Sequence, residues 1–452
     1  MTVPGMPDER PGARQALYTP QVQGWCPGAW QPMASGDGLV VRVRPPMGRL
    51  TLRQAWRLAR LARTHGAGIL ELSSRANVQL RGVDPARHAA VLRALAGCGL
   101  LDADVQRERL RNVVVDPMHQ PGDGVQALAT ALLLGLEEAG DLGALPAKFG
   151  WAIDGGHSHW LQTVSADIRM HRVPGAGPQA WRVQPEGLSW ALAATGTVDA
   201  AAAGLALARW FASHCLQQRA PGLRPGRLAS HAGELERLRA AATPQAPWPA
   251  GLPAGVHWMP ADSARRAAPP LPGPAPCILP GIGVLVGAPL GRLQAQALAR
   301  LVRALRGSAS GLRVTPWRML LIESGAQVEE VPGFWQAAGL DVSVDWVTHP
   351  GDARLRVSAC TGAPGCPQAQ APTQALALAL APHVPPQAHL HVAGCAKGCA
   401  RQEPATVTLR AEPTLGEPVF AVVRQGRAAD DAAYRVGLFT LQDNPGLLFE
   451  KN

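Results

Sequence analysis

Residues 38–50 read GLVVRVRPPMGRL and residues 281–293 read GIGVLVGAPLGRL, so one segment occurs twice in the chain. Pro46, Gly48, Arg49 and Leu50 fall on Pro289, Gly291, Arg292 and Leu293 at a constant offset of 243. The offset continues without a gap and brings Arg75 onto Arg318. Two copies of this length mean duplicated domains, because a solenoid needs three or more short units. Each copy reads as strand, turn, amphipathic helix, strand. In the first, 40–43 is a short apolar strand and Pro46-Met47-Gly48 a turn. Thr51 can then cap a helix whose Leu52, Ala55, Leu58, Ala59 and Ala62 recur at helical spacing. Leu298, Leu301, Val302 and Leu305 do the same in the second copy.

Ten of the 36 residues from 241 to 276 are proline, which predicts an extended linker between the copies. The expected fold class is α+β with duplicated halves, each a small βαβ module followed by a larger α/β module. The expected boundaries are 24–99 and 100–235 for the first half, 236–277 for the Pro-rich linker, and 278–344 and 345–452 for the second half.

Apolar residues make up 47% of the chain, enough for real cores, so disorder as a general state is excluded. The longest apolar runs, 127–136 and 375–381, are half the length of a spanning helix. The first residues, MTVPGMPDERPG, have no basic and then apolar leader pattern, and a cytoplasmic location is expected. Net charge is +10, yet only three of the 43 basic residues are lysine, a preference that GC-rich codon usage produces by itself. The arginines are scattered, Tyr numbers two and Phe six, and no nucleic-acid signature is present. A small polyanionic ligand fits this charge better than nucleic acid does.

Eight cysteines in a cytosolic chain do not suggest a disulfide framework. Cys26, Cys98, Cys215 and Cys277 stand alone and are expected to be buried, inert thiols. The other four form the pattern Cys360-x5-Cys366, a gap of 28, then Cys395-x3-Cys399. The first spacing is wide for a zinc knuckle, whereas four thiolates are the usual ligands of a [4Fe–4S] cluster. Gly362, Gly365, Gly394 and Gly398 would let backbone approach such a body. A cluster is favoured over zinc on these grounds.

ACTGAPGC and GCAKGC, at 359–366 and 394–399, resemble the cluster-binding motif of the sulfite/nitrite reductase superfamily. Ser74-Arg75-Ala76-Asn77-Val78-Gln79 resembles its Arg-x-x-x-Gln element, Arg111-Asn112-Val113 its Arg-Asn-Val element, and Leu145-Pro146-Ala147-Lys148-Phe149 its Leu-Pro-x-Lys-Phe element. The resemblance spans about 24–445. It implies ferredoxin-like small modules, larger modules of the reductase type, and a [4Fe–4S] cluster on Cys360, Cys366, Cys395 and Cys399. One departure is that a second lysine usually follows the Leu-Pro-x-Lys-Phe element, where this chain has Gly150.

Residues 26–46 and 391–409 further resemble the precorrin-3B synthase branch of that superfamily. This implies oxygen-dependent oxidation of precorrin-3A to precorrin-3B, by hydroxylation with γ-lactone formation, in aerobic cobalamin biosynthesis. Dioxygen and a reductant, NADH or another supplied through a separate electron donor, would be consumed. The alternative is a sirohaem-dependent sulfite or nitrite reductase, and only that alternative calls for sirohaem. A polycarboxylate tetrapyrrole asks for arginine, which forks onto carboxylates. Arg75, Arg111 and Lys148 are the leading candidates to hold it, with Arg42, Arg44, Arg81 and Arg318 beside them. Lys397 either offsets cluster charge or is a solvated loop residue. The catalytic residue stays unassigned.

Two further motifs are present. Gly281-x-Gly283-x-x-x-Gly287 looks like a dinucleotide fingerprint, but the offset places it on a strand instead of the loop that opens a helix. His119, His157 and His159 lie beside matched elements and are candidates for a mononuclear iron or are ordinary polar histidines.

Overall fold

The computed structural model describes residues 26–155, 160–173, 175–177, 179–218, 226–243, 248–261, 274–324, 334–336 and 338–449. These fall into two compact units, 26–34 with 38–348, and 35–37 with 349–449.

The larger unit opens with β1 (Met33–Ser35), β2 (Gly38–Val43), β3 (Arg49–Leu50), α1 (Leu52–His65), β4 (Ile69–Leu72), β5 (Val78–Val83) and α2 (His88–Ala96). Thr51 caps α1 as its position predicts. Its hydroxyl accepts from the Gln54 N–H while the Gln54 side chain accepts from the Thr51 N–H, a reciprocal capping box. Ala55, Leu58, Ala59 and Ala62 then face the core. After α3 (Val105–Leu110) comes the first larger module: β6 (Val113–Val115), α4 (Val125–Glu138), β7 (Trp151–Asp154), β8 (Ile168–Arg172), β9 (Ala180–Pro185), β10 (Trp190–Thr195) and α5 (Thr197–Gln217). The chain continues through α6 (Ala232–Ala241), β11 (His257–Pro260), β12 (Cys277–Leu279), β13 (Gly283–Gly287), β14 (Arg292–Gln294), α7 (Ala295–Ala304), β15 (Ala309–Val314) and β16 (Met319–Ser324). Gly283 to Gly287 are thus a strand, and the fingerprint reading is correctly set aside.

The two repeats do not stand as separate modules. One sheet has the order β1-β2-β5-β4-β14 and the other β12-β13-β16-β15-β3, so each copy contributes an edge strand to the other. Leu293 of β14 pairs with Leu70 of β4, and Arg49 of β3 pairs with Arg313 of β15. Both exchanged strands follow a turn in which Met47 and Leu290 hold φ values of 53° and 56°. At Gly291 (φ +74°) a Cβ would lie 2.9 Å from the Arg318 side chain, so the tight turn admits no larger residue. A single apolar core joins the copies, with Val41, Leu58, Leu70 and Leu80 of one and Val286, Leu298, Leu301 and Leu312 of the other.

The larger module is a six-stranded sheet in the order β11-β10-β9-β8-β7-β6. β6, β7 and β8 run parallel, and the remaining pairs are antiparallel. The Pro-rich stretch expected as an extended linker differs from that expectation. Within it β11 pairs with β10, and the Trp248 ring stacks on Trp258 at 5.9 Å and meets Trp190 edge-on at 6.1 Å. Burial of aromatic surface outweighs the extended preference of the prolines there. Residues 244–247 and 262–273 of the stretch lie outside the described residues.

The second unit contains β17 (Val357–Ala359), α8 (Gln374–Leu380), β18 (Leu390–Ala393), β19 (Ala405–Glu412), β20 (Val419–Gly426), β21 (Tyr434–Gly437) and α9 (Leu438–Asp443). β17, β18 and β19 are parallel, then β20 and β21 antiparallel, which repeats the pattern of β6 to β10. The duplication therefore extends into the larger modules. Residues 35–37 belong to this unit, where the Ser35 hydroxyl and the Gly36 N–H both donate to the Gly365 carbonyl.

Candidate functional site

In the second unit, Cys360 directly follows β17 and Cys395 follows β18 by two residues, so both lie past the carboxyl ends of parallel strands. Loops there lie free of the ladder, which is where open α/β sheets place their ligands. The Gly394 N–H donates to the Cys360 sulfur at 3.1 Å. A Cβ on Gly394 would lie 3.4 Å from that sulfur and 2.6 Å from the Ala369 Cβ, so the approach requires glycine. The four thiols sense one another. Burial raises the Cys395 thiol above its ordinary value, and Cys360 and Cys366 add to the rise while Lys397 opposes it. Burial also pushes Cys399 up to about 11, again against Lys397 and with Cys360, Cys395 and Cys366 adding. Lys397 thus favours the anionic form of two of the four sulfurs. Among the described residues no three His, Cys, Asp or Glu side chains are close enough to share a single ion. Four mutually felt thiols with a backbone N–H aimed at sulfur fit the wider spacing of an iron–sulfur body.

In the larger unit, strand alternation sorts the expected cations. Val41 and Val43 of β2 enter the core, which sends Arg42 and Arg44 to the opposite face. There Arg42 donates to Gln79 Oε1 at 2.9 Å, Gln79 donates to Glu71 at 3.4 Å, and Glu71 lies 3.7 Å from Arg292. Arg81, buried on β5, lies 3.9 Å from the same Glu71. Burial, then the like charges of Arg44 and Arg75, brings Arg42 down to about 10. Burial also lowers Arg44 and Arg75. Arg42, Arg44 and Arg75 therefore form one electrostatic group.

Internal partners divide these cations by role. Arg44 pairs with buried Glu108 at 3.1 Å and donates to Asn112. Arg111 forks onto Asp102 at 2.5 and 2.9 Å and also donates to the Arg44 carbonyl. Both are thus held by internal carboxylates, and the Arg111 fork is occupied by Asp102. Arg75 differs. It donates one N–H to the Lys148 carbonyl at 3.2 Å, and its Nη1 is buried with no hydrogen-bond partner. The Lys148 ammonium is exposed and without a partner among the described residues. Arg318 is half-buried beside Gly291 with φ +61°. Gly150 is buried, and a Cβ there would meet nothing closer than 3.4 Å.

One feature escaped the sequence reading. Asp116 follows β6, Asp154 ends β7, His171 lies on β8 opposite Asp154, and Arg182 lies on β9 opposite His171. All four are buried. Asp116 occupies, after the first parallel strand, the position that Cys360 holds in the other half. Its Oδ1 accepts from Met118 N–H at 2.8 Å, while Oδ2 is buried without a donor. Burial, reinforced by Asp154, pushes this carboxyl up to about 7. His119 adjoins it but has both ring nitrogens engaged, Nδ1 at 2.7 Å from the Asp116 carbonyl and Nε2 at 2.9 Å from Gln126. It offers no lone pair to an iron as it stands, and His157 and His159 lie outside the described residues. The lone thiols also differ from expectation. Only Cys215 is buried, Cys26 and Cys98 are half-buried, and Cys277 is exposed because edge strand β12 carries it.

Comparison with known proteins agrees with this architecture. Residues 31–98 match the nitrite/sulfite reductase ferredoxin-like half domain. The chain is 29% identical over 408 residues to a precorrin-3B synthase from Sinorhizobium sp, covering 87% of this chain and 81% of that one. The solved structure of the Mycobacterium tuberculosis NirA protein superposes with a TM-score of 0.60 at 18% identity, over 90% of this chain and 79% of that one. The chain has an α+β fold shared with that solved structure, and a nitrite/sulfite reductase ferredoxin-like half domain at 31–98. No helix among the described residues is long and apolar enough to cross a membrane.

Proposed function

We propose that the chain catalyses the oxygen-dependent oxidation of precorrin-3A to precorrin-3B, with hydroxylation and γ-lactone formation, in aerobic cobalamin biosynthesis. The observation that carries this reading is the cationic group around Arg75, whose guanidinium has a buried N–H without a partner and is bonded to the backbone carbonyl of Lys148. A buried donor of this kind costs free energy until an acceptor arrives, and the carboxylates of a polycarboxylate tetrapyrrole supply acceptors in number. Arg42, fixed by the neutral Gln79, adds positive charge beside Arg75, while Glu108 offsets Arg44. The similarity to a precorrin-3B synthase over most of the chain supports the choice of tetrapyrrole.

Cys360, Cys366, Cys395 and Cys399 would hold a [4Fe–4S] cluster, which supplies single electrons when bound. Gly394 N–H holds the Cys360 sulfur, and Lys397 favours the anionic state of Cys395 and Cys399. Electrons enter from NADH or another reductant through a separate donor.

The competing reading is a sirohaem-dependent sulfite or nitrite reductase, favoured by the fold. Gly150 weighs against it, because a small oxyanion must be gripped by cations and this position supplies none. Anaerobic purification decides between them. Iron and acid-labile sulfide without extractable sirohaem is the expected result, with iron exceeding sulfide if a mononuclear iron is also present. Extractable sirohaem with rapid sulfite or nitrite reduction would establish the competitor.

A further inference from the structure

Thr373 stands at the N-cap of α8, where a threonine hydroxyl ordinarily accepts from the helix N–H groups and contributes about 1 kcal/mol. Here it makes no capping bond. Its hydroxyl is turned the other way, donating to the Cys360 carbonyl at 2.7 Å and lying 3.8 Å from the Cys360 sulfur. The side chain is fully buried. The loop is shaped around it, since a Cβ on Gly362 (φ +70°) would lie 2.5 Å from the Thr373 oxygen. Cys360 is consequently held at three atoms. Its N–H donates to the Val392 carbonyl at 3.3 Å, its carbonyl accepts from Thr373, and its sulfur accepts from the Gly394 N–H.

We infer that Thr373 is a positioning residue for the metal-cluster thiolate of Cys360, and that its hydroxyl keeps this sulfur on the Gly394 N–H. The inference rests on the reading that the four cysteines hold a cluster. Hydrogen bonds to ligating sulfur favour the more negative, reduced cluster and so help to set its reduction potential. Loosening Cys360 should weaken that bond and shift the potential to a more negative value.

The test is a redox titration followed by electron paramagnetic resonance on anaerobically purified parent, T373V and T373S, with iron, sulfide and circular dichroism measured on each. T373V keeps the shape and lacks the hydroxyl; T373S keeps the hydroxyl. T373V should retain cluster and titrate at a more negative potential, with T373S at the parent value. Loss of sulfide from folded T373V but not from T373S would support the same role. An intact cluster at unchanged potential in T373V would overturn it, as would an equal shift in T373S. Should T373V not fold, T373A carries the comparison under the same two outcomes. A parent protein with no sulfide would instead refute the cluster reading, and the inference would fall with it.

Discussion

Arg75 and Lys148, 73 residues apart in sequence, meet through a 3.2 Å hydrogen bond from the Arg75 guanidinium to the Lys148 backbone carbonyl. The bond joins two separate sequence elements while leaving one guanidinium N–H and the lysine ammonium available. Removing the cation from a desolvated carboxylate pair typically costs about 2–5 kcal/mol. R75A and K148A should each weaken tetrapyrrole binding, R75A by the larger factor, with sulfide content unchanged. Affinity equal to that of the parent in both variants would contradict the assignment.

R111A should act on stability before binding. Asp102 and Arg111 are mostly buried and joined at two atoms, so truncation strands a carboxylate that sits largely out of water. Breaking a buried pair from one side costs about 3–5 kcal/mol, toward the lower end where some solvent reaches the pair. Chemical denaturation of R111A should show that loss, and R111K should recover only part of it because lysine cannot fork.

Asp116 gives a pH dependence with a definite sign. Its carboxyl titrates at about 7 in the folded protein and at about 3.9 when unfolded, so the folded state keeps a proton that the unfolded chain releases. Stability from this group is complete below about pH 4 and falls by on the order of 1.4 kcal/mol per pH unit up to about pH 7. D116N retains the acceptor for Met118 N–H and carries no charge. Its advantage over the parent in urea denaturation should be absent at pH 4 and largest at pH 8.

Sequence pattern was most informative where a period is long enough to read. The 3.6-residue spacing from Leu52 to Ala62 and the Thr51–Gln54 signature are the α1 of the structure, and the offset of 243 carried that reading to α7. The strand exchange could not be read, because β3 and β14 have two and three residues and show no alternation. Trp248 and β11 were hidden by prolines whose composition suggests a linker. In the site, alternation in Val41-Arg42-Val43-Arg44 told which side chains leave the core. It could not tell that Glu108 and Asp102, distant in sequence, already hold Arg44 and Arg111. Asp116 and Asp154 ended apolar strands without a motif, and only strand register shows them adjacent.

Cysteine substitution separates the two classes of thiol. Alanine at Cys360, Cys366, Cys395 or Cys399 should abolish acid-labile sulfide, whereas Cys26, Cys98, Cys215 and Cys277 variants should retain it. Stoichiometric zinc without sulfide in the parent would contradict the cluster.

The central claim is an oxidation of precorrin-3A that draws its oxygen from dioxygen. It is tested most directly by mass spectrometry of the product formed from precorrin-3A under labelled dioxygen, with reductant present and in matched reactions lacking one or the other. Product should form only with both, and should contain one labelled oxygen atom. Product formed without dioxygen, or carrying oxygen from labelled water in place of that atom, would contradict the account.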